Sequence, residues 1–220
     1  MFTKKEFSWI IIAIIIAGFI AILPLTPEKT PLDFLVSLAI FAIIIFSSVI
    51  VKKITAGYFS ITIEHKIWEL QRFSFPERAK LKKPIPAGLI VPFIVSFLSQ
   101  GVFGGVLRPF TFLQFDSKNI PERRYLRAYE GQARKFRRTE MNESDPAMVA
   151  TSGFYVILLL AVLGIIFKLP ELTKYSIYYG IWNLIPFSQL DGSRLFFGSF
   201  INWALLAILY VVALFLMAIF

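Results

Sequence analysis

Apolar residues follow one another along this chain in long uncharged blocks, with the charges gathered between them. A helix needs about 20 apolar residues to cross the hydrocarbon of a bilayer. Blocks at 7–25, 34–51, 147–167, 175–190 and 196–220 meet or approach that length and predict five helices. Lys4 and Lys5 precede the first block, and Lys52 and Lys53 close the second. A short break at Lys168–Lys174, holding Pro170 and Glu171, parts the third from the fourth. A secretory signal peptide has a similar charged start. Here Leu23-Pro24-Leu25-Thr26-Pro27 follows in place of a small-residue cleavage site, which predicts a retained helix.

Three stretches break the pattern. The apolar block 85–115 is interrupted by Pro86, Pro92 and Pro109 and by Gly88, Gly101, Gly104 and Gly105. Between Tyr58 and Leu70 the chain alternates, with Phe59, Ile61 and Ile63 on one side and Ser60, Thr62 and Glu64 on the other. That period of two predicts a half-buried strand, expected as a small sheet at the membrane interface. Asn119–Glu143 is polar and basic, with apolar Tyr125, Leu126, Tyr129 and Phe136 spaced through it. It reads as an excursion lying on anionic lipid. With no internal repeat and no low-complexity linker, residues 1–220 form a single membrane domain.

Composition sharpens the picture. Apolar residues make up 57% of the chain and charged ones 17%, against about 25% charged in an average soluble domain. The mean hydropathy of +0.70 is too high for a surface that must be wetted throughout. The fold class expected is therefore an all-α polytopic membrane protein of five to six transmembrane helices, with a Pro/Gly-rich re-entrant segment and a small strand region. The absence of Cys excludes disulfides, thiolate metal sites and a cysteine nucleophile in this chain, and a single His excludes sites needing two imidazoles.

The net charge of +9 is distributed in a way that orients the chain. Basic loops favour the cytoplasm. Lys4 and Lys5 place the N-terminus there, and the mixed loop Thr26–Asp33 suits the outer side. The basic segments 52–83 and 116–146 both belong inside, on a cell membrane. A single crossing between them would put one outside, so 85–115 is expected to dip in and return. Irregular backbone at that depth is tolerated only against protein or a wet cavity. The alternative is an ordinary Pro-kinked helix. Anionic headgroups account for the basic clusters, which lack the interleaved stacking residues of a nucleic-acid surface.

One stretch carries chemistry. In Trp182-Asn183-Leu184-Ile185-Pro186-Phe187-Ser188-Gln189-Leu190-Asp191-Gly192-Ser193-Arg194, an Asn, a Pro and an Asp stand at the end of a hydrophobic helix. Pro186 removes a backbone donor, and the Asn183 amide can satisfy the group left over. An ionisable residue such as Asp191 at this depth is expensive and invites a functional explanation. The structural alternative makes Asp191 the N-cap of the last helix, bonded to the N–H groups of Ser193 or Arg194 and paired with Arg194.

Asn183-x-x-Pro186-x-x-x-Leu190-Asp191-Gly192 resembles the C-terminal motif of the site-2 protease family of intramembrane zinc metalloproteases, in its archaeal-type branch. The resemblance implies that Asp191 corresponds to the third zinc ligand and that Asn183 and Pro186 shape the substrate-binding helix. Tyr58, the run Glu64-His65-Lys66-Ile67-Trp68 and the broken stretch Pro92–Gly105 follow the same order as in that branch. Ala150-Thr151-Ser152-Gly153 resembles a degraded form of the family's turn in the following span. The likeness covers roughly residues 34–210.

The departure is as informative as the match. The family's catalytic helix carries His-Glu-x-x-His, two zinc ligands one turn apart with the Glu as general base. Counting back from Tyr58 places that motif on Ser47-Ser48-Val49-Ile50-Val51, which offers no imidazole and no carboxylate. Zinc serves active relatives and is not expected here: Asp191 alone cannot hold it, and His65 is expected to be solvated or interfacial. Ser47, Ser48 and Ser152 have no histidine on a neighbouring span to act as base, and an aspartyl pair would need a second placed Asp.

The function expected from these residues is that of a pseudoprotease, a catalytically degenerate relative that binds transmembrane segments or partner proteins. Two alternatives stand beside it. One is an active intramembrane metalloprotease with atypical or partner-supplied ligands, and the other is a structural subunit of a membrane complex. The bilayer is the remaining partner, and nucleic acid is not expected.

Overall fold

The structure, a computed structural model, describes residues 2–23, 30–72, 80–98, 108–119 and 142–219. Its elements are α1 (Lys4–Ile22), α2 (Pro31–Tyr58), β1 (Ile61–Ile67), β2 (Leu70–Arg72), β3 (Lys80–Ile85), α3 (Ala87–Leu98), β4 (Leu113–Asn119), α4 (Ser144–Ile166), α5 (Pro170–Leu184), α6 (Asp191–Gly198) and α7 (Phe200–Ile219). Helices α1, α2, α4 and α7 are long and apolar enough to cross a membrane. Large apolar side chains such as Ile43, Ile54, Leu159, Ile201, Ile208 and Phe215 stand exposed on them. A soluble protein rarely shows so wide an apolar surface, whereas lipid-facing helices need it. The chain is thus a mostly helical membrane protein with small sheets.

Local chemistry fixes the helix ends. The Thr3 side chain caps α1 by accepting from the Glu6 N–H at 3.2 Å. Pro31 opens α2 at its first turn, and the Asp33 carboxylate accepts from the Thr30 N–H at 2.7 Å and hydroxyl at 3.1 Å. Pro170 starts α5, and the chain leaves helical geometry at Ile185, just before Pro186. The block expected as a helix at 175–190 is therefore the 15-residue α5, set five residues earlier and shorter than a full crossing. The block 196–220 is broken at Ser199, whose extended backbone separates α6 from α7.

Two further boundaries differ from the sequence reading. Helix α2 does not stop at Val51 but runs on to Tyr58, so Lys52 and Lys53 are helical residues and not the start of a loop. Of the block 85–115, α3 and the start of β4 are described, with Pro92 inside α3. Its glycines 101, 104 and 105 lie outside the described residues, as do Arg78 and the basic residues from Arg123 to Arg138.

β1 and β4 pair antiparallel, with Ile61 opposite Asn119, His65 opposite Phe115 and Ile67 opposite Leu113. The alternation expected in β1 is present: Ile61, Ile63, His65 and Ile67 are buried, while Thr62 and Glu64 are exposed. β2 and β3 form a second antiparallel pair, Leu70 facing Ile85. Gly88 stitches α3 to the end of β1. Its N–H donates to the Trp68 carbonyl at 2.8 Å, and its own carbonyl accepts from Phe112 N–H at 3.0 Å. A Cβ there would stand 2.4 Å from the Phe112 oxygen, so only glycine permits the crossing.

Among the described residues the core has two larger clusters and a small third one of Trp68, Ala87, Phe112 and Leu190. One of the larger two joins α1, α2, α4 and α5 through Ile10, Phe41, Ile45, Val49, Ile157 and Tyr179. The other joins the end of α2, the sheet, α4, α6 and α7 through Ala56, Ile63, Phe115, Phe154, Leu195 and Tyr210. Lys52 lies on α2 between Val49 of the first and Ala56 of the second.

Candidate functional site

The chain from α5 to α6 folds back sharply on itself. Asn183 is buried and its amide donates to the Tyr179 carbonyl at 2.9 Å, one turn back in its own helix. The Leu184 carbonyl, left open at the end of α5, accepts from the Trp203 indole at 2.9 Å. Pro186 is exposed. Ser188 takes positive φ, 55°, and accepts from the Trp68 indole at 3.0 Å, which ties the loop to the sheet. Gly192 lets α6 lie against the end of α5, since a Cβ there would meet the Leu184 oxygen at 2.2 Å.

This fold-back delivers Asp191 to the interior. Its carboxylate does not cap α6. Leu190 occupies the cap position, and its carbonyl accepts from the N–H groups of Ser193 and Arg194 at 3.1 and 3.3 Å. Nor does Arg194 pair with Asp191. It donates to Ser117 at 3.4 Å and lies over the Phe115 ring, 4.6 Å from its centre. Asp191 Oδ2 instead accepts from the Lys52 ammonium, and both side chains are withdrawn from water. The Lys52 stem passes over Gly153 of α4, where a Cβ would stand 2.1 Å from Lys52 Cε. The glycine of the Ala150–Gly153 stretch is thus the passage for this lysine. Around it the backbone stays helical, with Thr151 donating to the Ala147 carbonyl and Ser152 to that of Val149.

The face of α2 that meets Asp191 is set by this contact. Ser48, one turn before Lys52, is buried, and its hydroxyl has no partner among the described residues. Ser47 and Val51 are only half-buried. Of these α2 residues, Lys52 is the one that reaches the carboxylate.

A second buried group of charges lies alongside. Glu6, near the start of α1, accepts from the Lys53 ammonium at 2.8 Å, the His65 backbone N–H at 3.0 Å and His65 Nδ1 at 3.0 Å. His65 is therefore not solvated as its charged neighbours implied; it is 2% exposed. Burial, the largest influence, pushes its imidazole below the ordinary 6.5, Lys52 acts in the same direction, and Glu6 and Asp191 oppose. Adjacent lysines on α2 thus serve opposite flanks, Lys52 holding the α6 carboxylate and Lys53 the α1 carboxylate.

The sequence reading did not single out Glu6, Lys52 or Lys53. One signal was available in each case. Glu6 is a carboxylate at the lip of an apolar helix, and the two lysines end an apolar run that nothing else terminates until Gly57.

In this arrangement Asp191 is engaged by Lys52. Catalytic zinc takes three protein ligands from imidazole, thiolate and carboxylate. Here Asp191 Oδ2 is held by the Lys52 ammonium. Among the described residues there is no group of three or more His, Asp or Glu that could hold a metal ion. What the arrangement can do chemically is fix α2, α4 and α6 to one another by a charge pair. Comparison of the chain with protein-family profiles, with curated proteins and with solved structures gives no match.

Proposed function

We propose that this membrane protein is a site-2-protease-like pseudoprotease, which binds transmembrane segments or partner proteins and does not cut them. The observation that carries this reading is the Lys52–Asp191 ion pair. In the pattern that Asn183–Gly192 resembles, the aspartate meets two imidazoles from one face of the second span. In this chain the same carboxylate meets Lys52, with Ser48 one turn away. An internal ammonium supplies the positive charge that a metal supplies in active relatives. It activates no water, because it has no open coordination position.

In this reading α5 is a short fifth crossing, the 85–115 segment re-enters, and the N-terminus and basic segments face the cytoplasm of a cell membrane. The loop 185–189 is exposed beside the ion pair and bears Phe187, 56% exposed, which supplies an apolar contact for a passing helix. Its side-chain anchor, the hydrogen bond from the Trp68 indole to the Ser188 hydroxyl, keeps it in place.

Photo-crosslinking from position 189 in native membranes tests the proposal. The expected product is an adduct with a membrane-spanning partner that stays full length. Absence of any such adduct, or partner fragments whose release stops in D191A, contradicts it.

A further inference from the structure

At the opposite end of the bundle from Asp191, an open groove of about 850 Å³ runs between α4, α5 and α7. Two close approaches create it. Gly164 lets α5 press against α4, with a Cβ there only 2.4 Å from Thr173 Oγ1. Gly180 lets α7 press against α5, with a Cβ there 2.2 Å from the Tyr210 ring. Beyond these contacts the helices part. The walls are mostly apolar, formed by Val162 and Ile165 of α4, Ile177 of α5, and Ala213 and Leu216 of α7.

The rim is cationic. Lys168 and Lys174 both line the groove and are exposed, and neither has an ion-pair partner among the described residues. Glu171, between them in sequence, does not line the groove and is hydrogen-bonded to Tyr175. Lys168 also sits at positive φ, 55°, in the turn that ends α4, with Leu169 N–H returning to the Gly164 carbonyl at 2.8 Å. Glycine is the unstrained residue for that position. A lysine at that position carries a backbone cost, which points to a use for its side chain.

We propose that this groove is a binding site for an anionic phospholipid, one acyl chain lying along its apolar walls and the headgroup phosphate between the Lys168 and Lys174 ammoniums. The chemistry is complementary at both ends. The walls are mostly apolar, with Thr173 and Tyr178 the polar residues among them, and the rim offers two positive charges to a negative ligand. A zwitterionic lipid fits the walls equally and gains less at the rim. Two lysines at about 1 kcal/mol each correspond to a preference of about 30-fold. The inference is independent of what the Asp191 end does.

Native mass spectrometry of the full chain, with phosphatidylglycerol and phosphatidylcholine of identical acyl chains, tests it. The expected result is retention of phosphatidylglycerol over phosphatidylcholine on the order of tens of fold. K168E/K174E should abolish that preference, and V162W, which fills the groove, should weaken binding of both lipids. Because both lysines are exposed, K168Q/K174Q serves as a second, milder variant with the same expected direction. Equal retention of the two lipids by the unaltered chain, or a preference that survives in both lysine variants, overturns the proposal.

Discussion

Replacing Lys52 by methionine leaves the Asp191 carboxylate buried with no counter-charge. Both partners are withdrawn from water, and Asp191 Oδ1 already lacks a partner among the described residues. Removing one member of a buried pair typically costs about 3–5 kcal/mol, because the other stays charged and unsolvated. Removing both costs far less, since an apolar pair of similar volume needs no solvation. K52M and D191L should therefore each lower the unfolding midpoint in detergent strongly, and K52M/D191L should recover most of the loss. A double variant as unstable as the sum of the two single ones means that the side chains do not interact. Sequence made Asp191 legible, since a lone carboxylate beside Asn183 and Pro186 asks for an explanation. It did not make its partner legible: Lys52, read as the end of a span, looked like an ordinary flanking charge.

At the scale of elements, the β1–β4 sheet docks on the helices through apolar residues and one histidine. β1 presents Ile61, Ile63, His65 and Ile67 to the interior, and His65 alone among them carries a polar ring, bonded to Glu6 of α1. The groups facing it are Glu6 on α1, Lys52 and Lys53 on α2, and Asp191 on α6. Burial holds the His65 imidazole below 6.5, so over the window beneath that value the unfolded chain binds a proton that the native chain resists. Stability is thus full above about pH 6.5 and falls as the pH drops through and below it. Thermal unfolding in detergent between about pH 7.5 and pH 5.5 should show that decline, and H65Q should flatten it. A wild-type midpoint that rises on acidification contradicts the buried-neutral assignment. Extended by one step, the period-two pattern that pairs Ile61 with Ile63 also puts His65 on the apolar face, but its charged sequence neighbours led to the expectation of a solvated or interfacial residue. The position of Glu6 was not legible, because nothing in a helix sequence says which strand will cross it.

For the whole molecule, the long apolar blocks at 7–25, 34–51, 147–167 and 196–220 carry the four candidate spans, because hydrocarbon demands length and the absence of charge, and both can be counted. Less legible were the ends. The ladder of α2 carries on past Val51 because its lysines find carboxylates inside the protein. The last block splits at Ser199, and Gly198 presses on the Glu143 carbonyl, where a Cβ would stand at 2.5 Å. Both depend on partners distant in sequence. The same holds for the central proposal, that an ammonium from α2 occupies the place beside Asp191 where active site-2 proteases would hold metal. Zinc content per chain, measured by elemental mass spectrometry after purification from zinc-supplemented membranes, tests it most directly. The account predicts zinc well below one ion per chain and no change in D191A. One zinc per chain, lost in D191A, contradicts it.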